Sequence, residues 1–152
     1  ESAKFDDNSV VDLVSNLTLT GTSSGEYMYG SENDDVLYGA GGADNIYGYG
    51  GADTFAWLAE DIATSVVDTI RDFSISDGDM IDVSDVIEAY DPLTDAITDF
   101  VWMVNAGSNT SVYVDLDGAG TSEAWTQIAT IQNVTGLTDE AALEANGTLI
   151  AA

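Results

Sequence analysis

A nine-residue period between Gly21 and Ala56 constrains the fold more than any other feature of the chain. The four units read GTSSGEYMY, GSENDDVLY, GAGGADNIY and GYGGADTFA. Each unit has a glycine in first place, an acid in sixth place and a large apolar residue in eighth place. Three registers that recur together indicate a structural repeat, because a flexible glycine-rich linker does not need a periodic apolar residue.

The order of residues within a unit predicts its local structure. Glycine and small residues in the first four places permit a tight turn, and the last three places form a short strand with the eighth side chain pointing to an interior. Two units make about one coil, so turns 18 residues apart in sequence stack. Asp35 then faces Asp53, and Glu26 faces Asp44. Facing carboxylates repel each other unless a hard cation lies between them, and the pattern therefore predicts calcium.

Residues 21–56 resemble the calcium-binding nonapeptides of the repeats-in-toxin (RTX) family. The resemblance implies an all-β fold, a parallel β-roll with flanking capping strands. A short helix is expected after the roll and another near the C-terminus. It also implies calcium bound between one turn and the second turn after it, by backbone carbonyls and sixth-place acids.

Carried onto this chain, the resemblance implies two calcium sites. The ligands of the first are Ser31, Asn33, Asp35, Gly48, Gly50 and Asp53. Those of the second are Thr22, Ser24, Glu26, Gly39, Gly41 and Asp44. The first unit departs from the pattern, since it lacks glycine in its middle places and has Glu26 where aspartate is usual.

A third calcium site would use Ala40, Gly42 and Asp44. The stretch after the repeats does not fit the turn pattern, so Asp61, Asp68 or Asp72 would have to complete this site. Asp72 is included in the predicted ligand set.

The segments that flank the repeats predict further strands. Residues 10–14 and 16–20 alternate apolar and polar side chains and are expected to cap the first coil. Residues 68–87 resemble the stretch that closes the roll in secreted metalloproteases and in substrates of type I secretion. They predict two short strands around the turn 76–79, and then a helix over 83–89. Most of the acids of this stretch are interpreted as turn formers and caps rather than as ligands of a last calcium. These acids are Asp68, Asp72, Asp79 and Asp82.

The C-terminal part predicts strands between residues 97 and 134, with a hairpin turn at 115–123. A helix capped by Thr138 and stopped at Asn146-Gly147 follows, and then a final strand over 148–151. We expect one domain over 1–152, with capping strands in 1–20, the calcium roll in 21–62, and a cap with the secretion signal in 63–152. A start at Glu1 with no signal peptide suggests a piece of a longer protein.

Composition excludes several classes of partner and of catalytic site. The chain has 28 acids, two basic residues (Lys4 and Arg71) and a formal charge of −26. This charge argues against nucleic acid or an anionic membrane as a partner, and no apolar run predicts membrane insertion. Acidity by itself is also a common route to solubility. The chain has no His and no Cys, which excludes the Ser-His-Asp triad, thiol nucleophiles and the usual zinc sites. We therefore expect no enzymatic activity.

These features predict a non-catalytic C-terminal module of a secreted RTX adhesin, located outside the cell or at the bacterial surface, with calcium as cofactor. The resemblance implies the type I secretion machinery as partner, that is, an ABC transporter, a membrane fusion protein and an outer-membrane channel. Upstream domains of the same chain are the other expected partner. One alternative is a calcium-dependent carbohydrate or surface-ligand module that uses the ninth-place tyrosines Tyr29, Tyr38 and Tyr47, although cross-strand packing explains these tyrosines as well. The other is the C-terminal roll of a secreted hydrolase.

Overall fold

A computed structural model describes residues 2–4, 10–12, 15–62, 66–118 and 125–152, the first two ranges by their backbone only. Over these residues the fold is built from strands with two short α-helices and a 3-10 helix at Ile97–Asp99, and the strands of the roll form two facing sheets, as the repeat predicts. The strands of the roll are β3 (Thr18–Thr20), β4 (Tyr27–Tyr29), β5 (Val36–Tyr38), β6 (Asn45–Tyr47), β7 (Thr54–Ala56), β8 (Asp68–Ile70) and β9 (Met80–Asp82). Before them, β1 (Ser2–Lys4) and β2 (Val10–Asp12) form a separate antiparallel pair.

Successive strands of the roll alternate between the two sheets and pair in parallel with the strand one coil away. β3, β5, β7 and β9 lie in one sheet, and β4, β6 and β8 lie in the other. Leu37 pairs with Phe55, and Met28 pairs with Ile46, which confirms the 18-residue stacking. The four eighth-place side chains are 0 to 8% exposed and point into one core.

Glycine in fourth place is required only where a turn lies on another coil. Gly51 has φ of 104°, and a Cβ at this residue would lie 2.5 Å from the Asn33 carbonyl carbon of the coil beneath. Gly42 lies in the same way on the Ser24–Gly25 peptide. Ser24 and Asn33 belong to the lower turns, which do not require glycine in fourth place. The first unit can therefore lack a middle glycine.

The roll extends further than the prediction of 21–62. Thr18–Thr20 is the first strand of the roll rather than a cap, because it pairs in parallel with β5. The two short strands predicted around the turn at 76–79 are present as β8 and β9. They belong to opposite sheets and continue the coil, β8 beside β6 and β9 beside β7. Leu13 and Val14 lie outside the described residues.

An antiparallel meander closes the roll. Its strands are β10 (Val101–Ala106), β11 (Asn109–Val114) and β12 (Thr126–Ile131), which confirms the strands predicted between residues 97 and 134. β12 pairs in parallel with β8, so the meander extends one sheet of the roll. The last strand, β13 (Leu149–Ile150), pairs in parallel with β9 and extends the other sheet. The turn between β11 and β12 falls mostly on residues that the structure does not describe.

Helices are few and short. α1 (Ala59–Ile62) follows β7, and α2 (Glu140–Asn146) precedes β13. The helix predicted over 83–89 is wrong, since this stretch forms turns in which the Asp82 carboxylate accepts the N–H of Ser84 at 3.0 Å. The cap of α2 is Asp139, one residue after the predicted Thr138, and its carboxylate accepts the Ala142 N–H at 3.1 Å. The predicted stop at Gly147 is confirmed by its φ of 83°. Across the described parts of the chain, no helix is long and apolar enough to cross a membrane.

Candidate calcium sites

One hydrogen bond recurs along both edges of the roll: a sixth-place carboxylate accepts the backbone N–H of the sixth-place residue one coil below. At one edge, Oδ1 of Asp53 accepts from the Asp35 N–H at 2.9 Å, and Oδ1 of Asp35 accepts from the Leu17 N–H at 2.7 Å. At the other edge, Oδ1 of Asp44 accepts from the Glu26 N–H at 2.6 Å. The acids that were expected to face each other therefore lie in adjacent coils.

The first predicted site is assembled around Gly30. A Cβ at this residue would lie 2.6 Å from Oδ2 of Asp35 and 2.6 Å from the carbonyl oxygen of Gly48. These two oxygens thus converge on one small space between two coils, and the first-place glycine keeps this space open. The Gly50 N–H, which donates to the Ser31 carbonyl at 3.2 Å, joins the two turns. The structure brings together all six predicted residues, Ser31, Asn33, Asp35, Gly48, Gly50 and Asp53.

The Asp53 carboxylate carries the strongest sign of a cation. The side chain is 0% exposed, and its Oδ2 accepts no hydrogen bond from any residue that the structure describes. Burial raises the pKa of Asp53 to about 7, the Asp35 N–H opposes this rise, and the carboxylates of Asp79, Asp35 and Asp72 add to it. A buried carboxylate oxygen with no donor is costly in free energy, so this position favours a bound cation.

The second predicted site has the same design. Oε2 of Glu26 lies 2.8 Å from where a Cβ at Gly21 would be, and the Gly39 carbonyl oxygen lies beside the same point. The Glu26 carboxylate also accepts the Thr22 N–H at 2.8 Å, and the Thr22 hydroxyl and N–H lower the pKa of Glu26. The longer glutamate therefore reaches the space between the coils. Gly41 lies over Ser23 of the lower turn, and the Ser24 N–H donates to the Thr22 hydroxyl at 3.3 Å, so the structure also brings this set together.

The third predicted set is completed by Asp68 rather than by Asp72. A Cβ at Gly39 would lie 2.9 Å from Oδ2 of Asp44 and 2.9 Å from Oδ2 of Asp68. Ala40 and Gly42 belong to the same turn as Asp44, with φ of 61° and 108°. Asp72 is at the opposite edge, where its carboxylate accepts the N–H groups of Gly48 and Tyr49, each at 3.0 Å. The structure does not bring Asp72 to Asp44 because strand β6 separates the two turns.

The side chain of Asp61 lies outside the described residues. The fourth acid of the stretch after the repeats, Asp82, has a local structural role, since its carboxylate accepts both the N–H and the hydroxyl of Ser84.

Sequence reasoning named Asp68 only as one of three candidates for the third site, and it missed that Asp68 and Asp79 occupy the sixth place of the next coils. Asp68 accepts the Asp44 N–H at 2.9 Å, and Asp79 accepts the Asp53 N–H at 3.0 Å. Asp79 also accepts the Ser74 N–H at 2.8 Å, and burial raises its pKa. Both acids are followed two residues later by a buried isoleucine, as each repeat acid is followed by its eighth-place residue. That Asp-x-apolar triplet was the available signal, but it was obscured because the spacing changes from 18 to 24 and 26 residues.

The donor set fits calcium. Every candidate ligand is an oxygen, from a carboxylate or a backbone carbonyl, and such hard donors suit calcium rather than zinc or copper. Within the described ranges, no group of three or more acidic, His or Cys side chains is arranged to hold a metal. That finding agrees with sites made of two carboxylates and backbone carbonyls, which contain fewer than three such side chains each.

Comparisons with known proteins agree with this geometry. A family model described as the RTX calcium-binding nonapeptide repeat, in four copies, matches residues 20–55. Among solved structures, the chain is similar to a subunit of the mannuronan C5-epimerase of Azotobacter vinelandii, with 25% sequence identity and a TM-score of 0.52. That match covers 90% of this chain and 78% of the epimerase subunit. A search of curated proteins finds no match. Residues 20–55 are therefore four RTX calcium-binding nonapeptide repeats.

Proposed function

We propose that the chain is a non-catalytic module that couples calcium binding to folding once a secreted protein has left the bacterial cell. The observation that supports this most directly is the Asp53 carboxylate, which is fully buried and has an Oδ2 without a hydrogen-bond donor among the described residues. A calcium ion beside it would remove the cost of burying that charge.

The overall charge supports the same coupling. A chain with a formal charge of −26 repels itself when it is compact, and each calcium ion cancels two of these charges. Extracellular modules bind calcium with dissociation constants of about 10⁻⁴ to 10⁻³ M. At about 10 mM calcium, each such site stabilises the folded state by roughly 1.4 to 2.7 kcal/mol. Several sites together therefore decide whether the roll folds.

Scarce calcium inside the cell would keep the chain extended for export by a type I secretion system, and folding outside would hinder its return. The adhesin parent inferred from the sequence stays a prediction. The structural similarity to a subunit of an epimerase favours a secreted enzyme as the parent protein. In either parent, this chain supplies calcium-dependent folding rather than catalysis.

The test compares Asp53→Asn with Asp85→Asn, which removes the same charge from an exposed loop position. Circular dichroism and calorimetry are recorded in chelator and at increasing calcium. We expect the parent chain to gain strand signal with calcium. Asp53→Asn should lose at least one ion from the stoichiometry and need about tenfold more calcium for half-maximal folding, because a neutral amide binds calcium less well.

Asp85→Asn should match the parent chain in both measurements. A parent chain that is fully folded in chelator would overturn the coupling of calcium to folding. An unchanged stoichiometry in Asp53→Asn would overturn the assignment of Asp53 as a ligand.

A further inference from the structure

Four tyrosines form a patch on the outer side of the sheet that contains β4 and β6. We call this patch the tyrosine platform, and its members are Tyr27, Tyr29, Tyr47 and Tyr49. The rings of Tyr29 and Tyr47 are 5.4 Å apart, and Tyr49 lies 6.2 Å from Tyr29 and 6.1 Å from Tyr47. The side chains of Tyr27, Tyr29 and Tyr49 are 64, 51 and 49% exposed, although tyrosine is a large and partly apolar residue. The third ninth-place tyrosine of the prediction, Tyr38, lies in the other sheet.

Each neighbouring pair of rings is stacked, but the rings do not form one column. Neighbouring ring planes within the platform differ by only 15 to 27°, so the rings are nearly parallel. Three rings in a column would have one separation close to the sum of the other two. The separations among Tyr29, Tyr47 and Tyr49 are instead nearly equal, so their centres form a triangle. Aromatic surface therefore remains accessible to a ligand.

Cross-strand packing does not explain Tyr49. This residue is in second place of its turn, not in a strand, and its φ of 74° is in the left-handed region. That region costs a residue other than glycine about 1 kcal/mol, and more for a bulky side chain. The corresponding second place in the preceding unit holds Ala40, which also has a left-handed φ, of 61°, so the turn requires this conformation but not a ring. A bulky ring held in a strained turn beside two other rings points to a role for the ring itself.

An arginine and two amide side chains adjoin the strand part of the platform, whereas the Asp72 carboxylate lies at the turn, where it accepts the backbone N–H of Tyr49. Arg71 follows β8 and lies beside Tyr47, and its guanidinium donates to Oδ1 of Asn45 at 2.9 Å and to Oε1 of Gln132 at 2.7 Å. Asn45 is the outward residue of β6 that pairs with Tyr27. No outward position of β4, β6 or β8 holds an acid, although the chain has 28. These positions are Tyr27, Tyr29, Asn45, Tyr47 and Thr69.

From this combination we propose that the platform binds an uncharged oligosaccharide chain. The C–H groups of a pyranose ring are weakly positive and are attracted to the negative face of an aromatic ring. The amide and guanidinium groups beside the rings can hydrogen-bond the hydroxyl groups of the sugar. A chain with a formal charge of −26 repels a polyanion, so an uncharged glycan fits this face better than nucleic acid or an acidic polysaccharide does. This activity is separate from calcium-dependent folding and goes beyond it.

The experiment titrates the calcium-saturated chain with cellohexaose, followed by NMR of the tyrosine ring signals and by calorimetry. A mannuronate hexamer serves as the anionic comparison. We expect cellohexaose to bind with a dissociation constant near 1 mM, about −4 kcal/mol, and to shift the signals of the four platform tyrosines. The mannuronate hexamer should bind at least about tenfold more weakly.

Two variants separate the rings from the fold. Tyr49→Gly removes a ring and also relieves the left-handed strain, so it should fold at least as well as the parent while it binds cellohexaose about tenfold more weakly. Tyr38→Ala removes the ninth-place tyrosine of the other sheet and should leave binding unchanged.

The proposal is overturned if cellohexaose moves none of the platform signals at about 10 mM, a concentration well above the expected constant. It is also overturned if the mannuronate hexamer binds more tightly, or if Tyr38→Ala weakens binding as much as Tyr49→Gly. The calcium dependence of folding, measured on the same samples by circular dichroism, is independent of all three outcomes.

Discussion

The roll and the antiparallel meander share one apolar core but differ in where they place their acids. Each roll strand has three residues and, in the repeats, sends one large apolar side chain inward, while the turns bury Asp35, Asp44 and Asp53 at no more than 1% exposure. The three meander strands have six residues each and contain no acid. The meander strands therefore bury no acid of their own, and the buried Glu140 carboxylate that contacts them accepts the Met103 N–H. The roll must instead neutralise buried charge, and so calcium dependence should be concentrated there.

The roll itself shows a second contrast, between its ends and its middle. At the ends, the second carboxylate oxygen has a protein donor, namely the Ser31 N–H for Asp35, the Ser74 N–H for Asp79 and the Trp57 indole for Asp68. In the middle, Oδ2 of Asp53 has no hydrogen-bond donor from the described residues. Where the repeat begins and ends, protein N–H groups thus stabilise buried carboxylates, as calcium would do for Asp53.

Removal of calcium should produce the largest difference in stability between the roll and the meander. In chelator we expect amide protection to fall by several kcal/mol in β4 to β7, because the loss of each site removes roughly 1.4 to 2.7 kcal/mol. The strands β10 to β12 should lose less. Hydrogen exchange followed by mass spectrometry at peptide resolution measures both regions in one experiment. Equal loss in roll and meander would show that the two unfold as one unit.

A matched pair of core truncations should sharpen the contrast. Phe55→Ala in the roll should cost about 3 to 5 kcal/mol in the free energy of unfolding with calcium, and Met103→Ala in the meander about 2 to 5 kcal/mol. Both side chains are almost fully buried. In chelator, the cost of Phe55→Ala should largely disappear because the roll is already unfolded, whereas that of Met103→Ala should persist. Urea titrations with and without calcium decide this, and a persistent cost for Phe55→Ala in chelator would contradict it.

Loss of the indole donor at the end of the roll should have a smaller effect on the free energy of unfolding. Trp57 is 3% exposed, and its Nε1 donates to Oδ2 of Asp68 at 2.8 Å. Trp57→Phe keeps a ring but removes this hydrogen bond to a buried carboxylate, at a cost of about 1.5 to 3 kcal/mol. Trp102→Phe, at a side chain that is 45% exposed, should change the free energy of unfolding by about 0.5 kcal/mol or less. Thermal unfolding in calcium compares the two variants. Similar losses of stability in both would contradict a stabilising role of the Trp57 hydrogen bond.

Filling the space at a first-place glycine should have the smallest effect on the free energy of unfolding but a specific effect on calcium binding. A Cβ at Gly48 would lie 2.8 Å from Cγ of Asp53, so Gly48→Ala forces that carboxylate to move, at a cost of about 1 to 3 kcal/mol. Gly107→Ala is the control, since Gly107 has φ of 70° but nothing within 4 Å of its Cβ position. Calorimetry should show weaker calcium binding for Gly48→Ala alone. If Gly107→Ala lowers calcium affinity equally, the effect is a general loss of stability.

Much of the roll could be predicted because its information is local and repeated. The eighth-place residues Met28, Leu37, Ile46 and Phe55 identify the core, and the 18-residue stacking of Asp35 on Asp53 follows from the period. The C-terminal helix and its stop at Gly147 were predicted for the same reason, since capping depends on neighbours in sequence. The helix expected over 83–89 does not form: only single turns follow β9, among them the one closed by the Ile87 N–H on the Val83 carbonyl at 3.1 Å, and they do not continue as a helix.

The sequence by itself determined the repeat, its acids, its buried residues and its affinity for calcium, because a strict period leaves one way to stack the coils. Only the tertiary structure decided that Asp68 and Asp79 continue the columns of acids, that β12 and β13 extend the two sheets, and that Tyr49 joins its ring to those of Tyr29 and Tyr47. These contacts join residues whose spacing no longer follows the period. Which strand or acid meets the end of the roll then depends on packing between segments that are distant in the chain, and local pattern does not encode that choice.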